Sequence, residues 1–257
     1  MATLRRECSV NESVVRPALR VKARPGGATT SWRWAVVAVA TFVTLAITYP
    51  MLVGADLYGH RWALAHRGGV VAAVAAHVTR GGQFTLLLPV VLAVGFGAAC
   101  GGAGRRLRAA AGLVAVFTAG TLVRWAVAET IARPRPPRVE WIGPASGYAF
   151  PSGHTTIATL GAGVIAWALT RRWDDPLTRV VIWAGAAGYA LAVGWSRVWL
   201  GVHWPTDVIG SWLLAIGWLT GVRWALSRGR AGGVARRAPD RTLPAAAPAT
   251  GETAPHP

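Results

Sequence analysis

The sequence predicts an all-α polytopic membrane protein, with six transmembrane helices in one bundle and both tails in the cytoplasm. Three observations predict it. Apolar residues make up 53% of the 257 and charged residues only 14%, a poor supply of polar surface for a soluble chain. The apolar residues gather into six stretches nearly free of charge. Of the 27 Lys and Arg, 19 fall in the tails and in the loops on the same side of such a bundle, which the positive-inside rule makes cytoplasmic.

The elements follow in order. Residues 1–33 are polar, basic and rich in Gly and Pro, and read as a disordered cytoplasmic tail. Residues 34–54 run without a charge, enough to cross about 30 Å of hydrocarbon as a helix. The long basic lead and the lack of a clear A-x-A site favour an uncleaved span over a signal peptide. Residues 72–78 are apolar but too short to span, and read as an amphipathic surface helix. The second span is 82–102. The third is 107–128, with Arg108 at its start and Arg124 near its end. The fourth and fifth, 153–170 and 180–196, are short and uncharged apart from His154 at one mouth. The sixth, 205–222, carries only Asp207, also at a mouth. Residues 34–225 thus form one six-span domain. The Arg-, Ala- and Pro-rich 226–257 reads as a second disordered cytoplasmic tail. Trp32, Trp34, Trp173 and Trp224 would mark the inner interface; Trp141, Trp195, Trp199 and Trp204 would mark the outer one.

The net charge of +17 does not signal nucleic acid. The arginines sit in tails and short loops, with no basic groove interleaved with aromatics. Lysine occurs once, at Lys22, beside abundant Ala and Gly. That bias reads as a GC-rich bacterial genome rather than a function. Cys8 and Cys100 have neither disulfide nor metal spacing.

Three polar signatures lie at span ends on the outer side: ARPRPP (132–137), PSGH (151–154) and SRVWLGVHWPTD (196–207). Polar groups are costly at such positions unless they have work to do. His203 and Asp207 are four apart and share a helix face opened by Pro205. Asp207 is placed to hold the Nδ1 proton, leaving Nε2 as a lone-pair nucleophile. Ser152 is a natural N-cap for the fourth span, Gly153 lets backbone approach a ligand, and the freed N–H groups bind anions. Arg135 and Arg197 offer planar forks to phosphate oxygens. Arg133 either assists them or faces lipid headgroups. The few outer carboxylates, Asp56, Glu129, Glu140 and Asp207, do not make a two-metal site, so no metal or cofactor is expected.

These residues resemble the three-part signature of the type-2 phosphatidic acid phosphatase superfamily, Lys-x6-Arg-Pro, PSGH and Ser-Arg-x5-His-x3-Asp. The resemblance covers roughly 34–225 and indicates the membrane branch rather than the related haloperoxidases. It implies that His203 attacks phosphorus to form a phosphohistidine and that His154 protonates the leaving group, with Arg135, Ser152, Gly153 and Arg197 binding substrate. The first part departs from the pattern. Seven residues before Arg135 stands Ala128, where the family has lysine. Arg124, one turn earlier on the same face, is a candidate replacement, although helical side chains lean back toward the N-terminus and hence deeper into the membrane.

The expected function is a metal-independent phosphatase of a bacterial plasma membrane, with its site facing outward. The substrate is a lipid phosphate or diphosphate, undecaprenyl diphosphate first. Phosphatidic acid or phosphatidylglycerol phosphate, or phosphotransfer to an acceptor, are the alternatives. A non-catalytic lipid-binding or transport protein is the remote one.

Overall fold

A computed structural model describes residues 26–173 and 175–235. Most of the two expected tails lies outside these residues, as does Cys8. Among the described residues the fold is entirely helical. The helices are α1 (Gly26–Thr48), α2 (Val53–Ala65), α3 (Gly69–Val78), α4 (Phe84–Ala98), α5 (Ala103–Ile131), α6 (Gly153–Leu169), α7 (Pro176–Trp199) and α8 (Pro205–Ala235).

Four helical stretches are long and apolar enough to cross a membrane: Trp32–Ala65, Ala103–Ile131, Pro176–Trp199 and Pro205–Arg228. The first joins α1 to α2 through the 3-10 turn Tyr49–Leu52. A fifth is counted if Gly69–Gly82 and Phe84–Ala98, bent by 54°, form one broken span. The stretch read as a surface helix is therefore the first limb of that pair. The helix at the fourth expected span, α6, has 17 residues and is about 25 Å long at 1.5 Å per residue.

The short α6 is central. It packs against α4, α5, α7 and α8. Leu160, Gly161, Val164 and Ala166 are buried along it, as expected for a helix apolar on all sides. Leu87, Val91, Phe117 and Ala215 complete the core around it. On the opposite flank α1 runs along α8, and Phe150 stacks on Phe42 and Tyr49 with ring centroids 5.6 and 6.0 Å away.

Local chemistry sets the helix starts. Asp175 caps α7 by accepting from the Thr178 N–H at 2.7 Å, with Pro176 at the first helical position. Pro205 opens α8 as expected. Asp207, three residues into α8, accepts from the Trp204 N–H at 2.9 Å, the reach-back half of a capping box. The ends of α5 and α7 and the starts of α6 and α8 share one end of the bundle. The connection from Ala132 to Ser152 folds over that end.

Three ties fix the middle of this connection. The Ile142 N–H donates to the Leu200 carbonyl at 2.9 Å. The Glu140 carboxylate meets His60 Nε2 of α2 at 2.8 Å. Arg67 donates to the Glu140 carbonyl. Gly201 makes the approach possible. Its φ is +74°, and a Cβ there would lie 2.4 Å from the Glu140 carbonyl oxygen, so both backbone and space demand glycine.

Candidate active site

The end of α7, the start of α8 and the loop between them carry the third signature. His203 is buried, and its Nδ1 lies 3.2 Å from Asp207 Oδ2. Asp207 Oδ2 also accepts from the Trp204 N–H, and Oδ1 accepts from Arg133 Nη1 at 2.6 Å. With donors on both oxygens, Asp207 acts as an ionised acceptor, and His203 Nδ1–H donates to it. The other ring nitrogen, Nε2, accepts from Arg135 Nη1 at 2.8 Å. The lone pair of His203 therefore sits at Nε2.

Arg135 is held by its own connection. It donates to the carbonyls of Ser146, Gly147, Tyr148 and Val202. It lies in a depression of about 230 Å³ lined also by Arg138, Trp141 and Tyr148. Arg197, on the last turn of α7, is buried and donates from Nη1 to Thr79 Oγ1 at 2.6 Å. Its Nε is buried and finds no partner among the described residues.

The PSGH turn meets these groups from below. His154 is half-buried in the first turn of α6. Ser152 occupies the N-cap position, but its side chain caps nothing. Instead the hydroxyl accepts from Thr155 Oγ1 at 3.0 Å, which leaves its own O–H proton for another acceptor. The turn is tied to α8 through Ser211, whose hydroxyl bonds the carbonyls of Asp207 and Ser152.

Arg124 reaches this turn. Its Nε donates to the Pro151 carbonyl at 2.8 Å. Its guanidinium carbon lies 3.3 Å from where a Gly153 Cβ would stand, so Gly153 leaves room for the cation. Ala128, in the place of the family lysine, is buried.

Arg133, read above as a phosphate ligand or a lipid-facing charge, is neither. It is buried behind His203, with Nη1 on Asp207 and Nη2 on Asp56 Oδ2, both at 2.6 Å. Two buried carboxylates attract a guanidinium more strongly than a headgroup surface does. Asp56 was missed as a site residue. Its signal was legible: it is the one acidic residue in the 34-residue apolar stretch Trp32–Ala65. Thr79 and Thr206, also missed, carried no signal at all. Among the described residues no group of three or more His, Cys, Asp or Glu could hold a metal ion. An apolar cavity of about 310 Å³ lined by Arg108, Trp167 and Arg171 lies at the other end of α5 and α6, away from this chemistry.

One histidine–aspartate pair, a second histidine at a helix start and neighbouring arginines are the equipment of a class of phosphate-handling membrane proteins. The chain belongs to the PAP2 superfamily, whose model matches residues 109–230. It is 31% identical to phosphatidylglycerophosphatase B of Bacillus subtilis, over 54% of this chain and 67% of that protein. It is 40% identical to an undecaprenyl-diphosphatase of Sulfolobus acidocaldarius, over 26% of this chain. That match spans only 28% of the Sulfolobus protein's length. A crystal structure of a transmembrane PAP2 type phosphatidylglycerolphosphate phosphatase from Bacillus subtilis superposes with a TM-score of 0.67 at 28% identity. The superposition covers 78% of this chain and 96% of that one.

Burial, then the charges of Arg135, Arg197 and Arg124, hold the His203 imidazole well below its ordinary range. A depressed value keeps the ring neutral on the acid side of about pH 6.5, where an ordinary histidine is half protonated. In nitrogen-15 histidine-labelled protein in detergent, the His203 resonances should keep the neutral pattern at about pH 6. The Arg135→Ala change should move the titration upward. A midpoint at or above the ordinary value in the unchanged protein would contradict this reading.

Proposed function

We propose that the chain is a metal-independent phosphatase acting on a lipid phosphate or diphosphate, with undecaprenyl diphosphate the favoured substrate. The observation that carries the reading is the His203 geometry, a buried imidazole whose Nδ1–H donates to Asp207 and whose lone pair is directed at an arginine. Phosphate oxygens compete for that Arg135 N–H and free the lone pair. Arg135, Arg197 and Arg124, with the first N–H groups of α6, take the oxygens. Nε2 forms a bond to phosphorus as the phosphorus–oxygen bond to the leaving group breaks. His154 gives the leaving oxygen its proton. Water then yields a proton to His154, attacks phosphorus and releases inorganic phosphate as the nitrogen–phosphorus bond breaks. The residues supply the charge that a metal would otherwise bring, and Asp207 is occupied by His203 and Arg133.

The similar proteins support the substrate class. They include an undecaprenyl-diphosphatase and a phosphatidylglycerophosphatase B, so phosphatidylglycerol phosphate or phosphatidic acid is the alternative. In this reading α6 and the bent pair each count as a span, giving six in a bacterial plasma membrane. The tails are cytoplasmic and the site opens outward; the arginine distribution supports this orientation.

Purified protein in detergent should release phosphate from such lipids in the presence of EDTA. Changing His203 to Ala should lower the rate by about a thousand-fold or more. A variant that keeps its rate removes His203 as nucleophile, and a rate lost to EDTA removes metal independence.

Arg124 fills the role of the absent lysine in this mechanism. Arg124→Gln should cost about 10²-fold in kcat, as for a lost oxyanion donor. Adding Ala128→Lys to that variant should return a good part of it. An unchanged rate in Arg124→Gln would reduce Arg124 to a tie between α5 and the PSGH turn.

Orientation is tested by labelling. After Cys8 and Cys100 are changed to Ser, Val139→Cys, at an exposed position, should react with a membrane-impermeant maleimide on intact cells. Trp173→Cys should react only after lysis. The reverse pattern would turn the site to the cytoplasm.

A further inference from the structure

We infer that Asp56, acting through Arg133 and Thr206, is a positioning residue that keeps the buried charged cluster behind His203 at a net negative charge so that the ring can become a cation. The inference rests on the reading of His203 as the nucleophile.

The observations are a closed network at the start of α8. Asp56 Oδ1 accepts from the Thr206 N–H at 2.9 Å, one of the first backbone donors of α8, which lack partners within the helix. Asp56 Oδ2 accepts from Thr206 Oγ1 at 2.7 Å and from Arg133 Nη2 at 2.6 Å. Arg133 Nη1 then reaches Thr206 Oγ1 at 2.7 Å and Asp207 Oδ1 at 2.6 Å. The Arg133 side chain is covered on one side by the Tyr49 ring, 4.4 Å from its guanidinium carbon to the ring centroid. Asp56, Arg133, Thr206 and Asp207 are all buried. Each carboxylate receives three donors, an acceptor-only pattern that fits two ionised groups.

Charge explains why two carboxylates are needed. Arg133 orients Asp207 but also neutralises it. With Arg133 alone, the pair behind His203 would carry no net charge. When Nε2 bonds to phosphorus and Nδ1 keeps its proton, the ring gains one positive charge. Buried, that charge needs a counter-charge at close range. Asp56 brings the sum of Asp56, Arg133 and Asp207 to minus one, and formation of the cationic ring brings the buried cluster to zero. Asp56 touches neither substrate nor ring. It acts through Arg133, which fixes the Asp207 carboxylate, and through Thr206, which fixes the first turn of α8.

A tie that merely joins α2 to α8 predicts something different, and isosteric variants separate the two. Wild type, His203→Ala, Asp56→Asn, Arg133→Gln and the double variant are purified in detergent. They are assayed on farnesyl diphosphate and on a short-chain phosphatidic acid, with phosphohistidine measured after an alkaline quench. Asp56→Asn should lower kcat and phosphohistidine formation about tenfold or more, with KM within about twofold. Arg133→Gln, which leaves two adjacent uncompensated carboxylates, should also be slow. The double variant restores a net charge of minus one and should be faster than either single change.

A double variant no faster than the slower single, with losses that follow thermal stability, overturns the inference and leaves a structural tie. Where Asp56→Asn fails to accumulate in the membrane, Arg133→Gln and the double variant decide, because the double must still be the faster. A wild type inactive on both lipids, or an active His203→Ala, overturns the phosphatase reading itself. An active wild type with a dead His203→Ala and no gain in the double overturns this inference alone.

Discussion

The bundle turns on a buried guanidinium held between two carboxylates. Arg133 lies buried between Asp56 and Asp207, and an arginine in that position must be paired on every side where it can donate. Three segments far apart in the chain meet there: α2, the connection after α5, and the start of α8. None can shift without stranding a buried charge. The first turn of α8 is fixed by this demand, and with it the rotamer of Asp207 and the ring of His203. Satisfied networks of this kind rigidify what surrounds them.

Around that floor the remaining cations are arranged differently. Arg135 spends three donors on carbonyls of its own connection, one on the Val202 carbonyl and one on the ring. Arg197 keeps a buried Nε without a partner among the described residues. Arg124 leans on the Pro151 carbonyl. The contrast between one arginine bonded to two carboxylates and three that face mainly neutral acceptors sets Arg133 apart from Arg124, Arg135 and Arg197 on electrostatic grounds. Neutral acceptors yield an N–H to a phosphate far more readily than carboxylates do. The strap formed by His60, Glu140 and Arg67 keeps the connection that carries Arg135 in register with α2.

Much of this was written locally. Helices stand where apolar runs stand, because hydrophobic length is a property of consecutive residues. The His203–Asp207 pair followed from i, i+4 spacing and the Pro205 helix start. What escaped was set by contacts across the chain. The helical stretch through 34–54 continues to Ala65, since backbone hydrogen bonding does not stop where hydropathy falls. Asp56 looked like an outer carboxylate until Arg133 and Thr206, 77 and 150 residues away, came to meet it. Arg133 shared its motif with Arg135 yet turned the opposite way, which no spacing rule encodes. Arg124 meets the PSGH turn at the Pro151 carbonyl, 27 residues away, a contact that the lean of helical side chains does not encode. Ser152 holds the cap position and withholds the cap bond, because Thr155 engages its hydroxyl.

The network at the start of α8 also bears on the order of synthesis. Chains form from the N-terminus, so α2 presents Asp56, and later Arg133 emerges, well before Thr206 and Asp207 exist. Until α8 enters the bundle, the imidazole, its carboxylate and the counter-charge behind them are not assembled. A chain that stops before α8 therefore carries Asp56 and Arg133 without the Thr206 and Asp207 groups that they bond. The network closes in a single step, when the final helix docks.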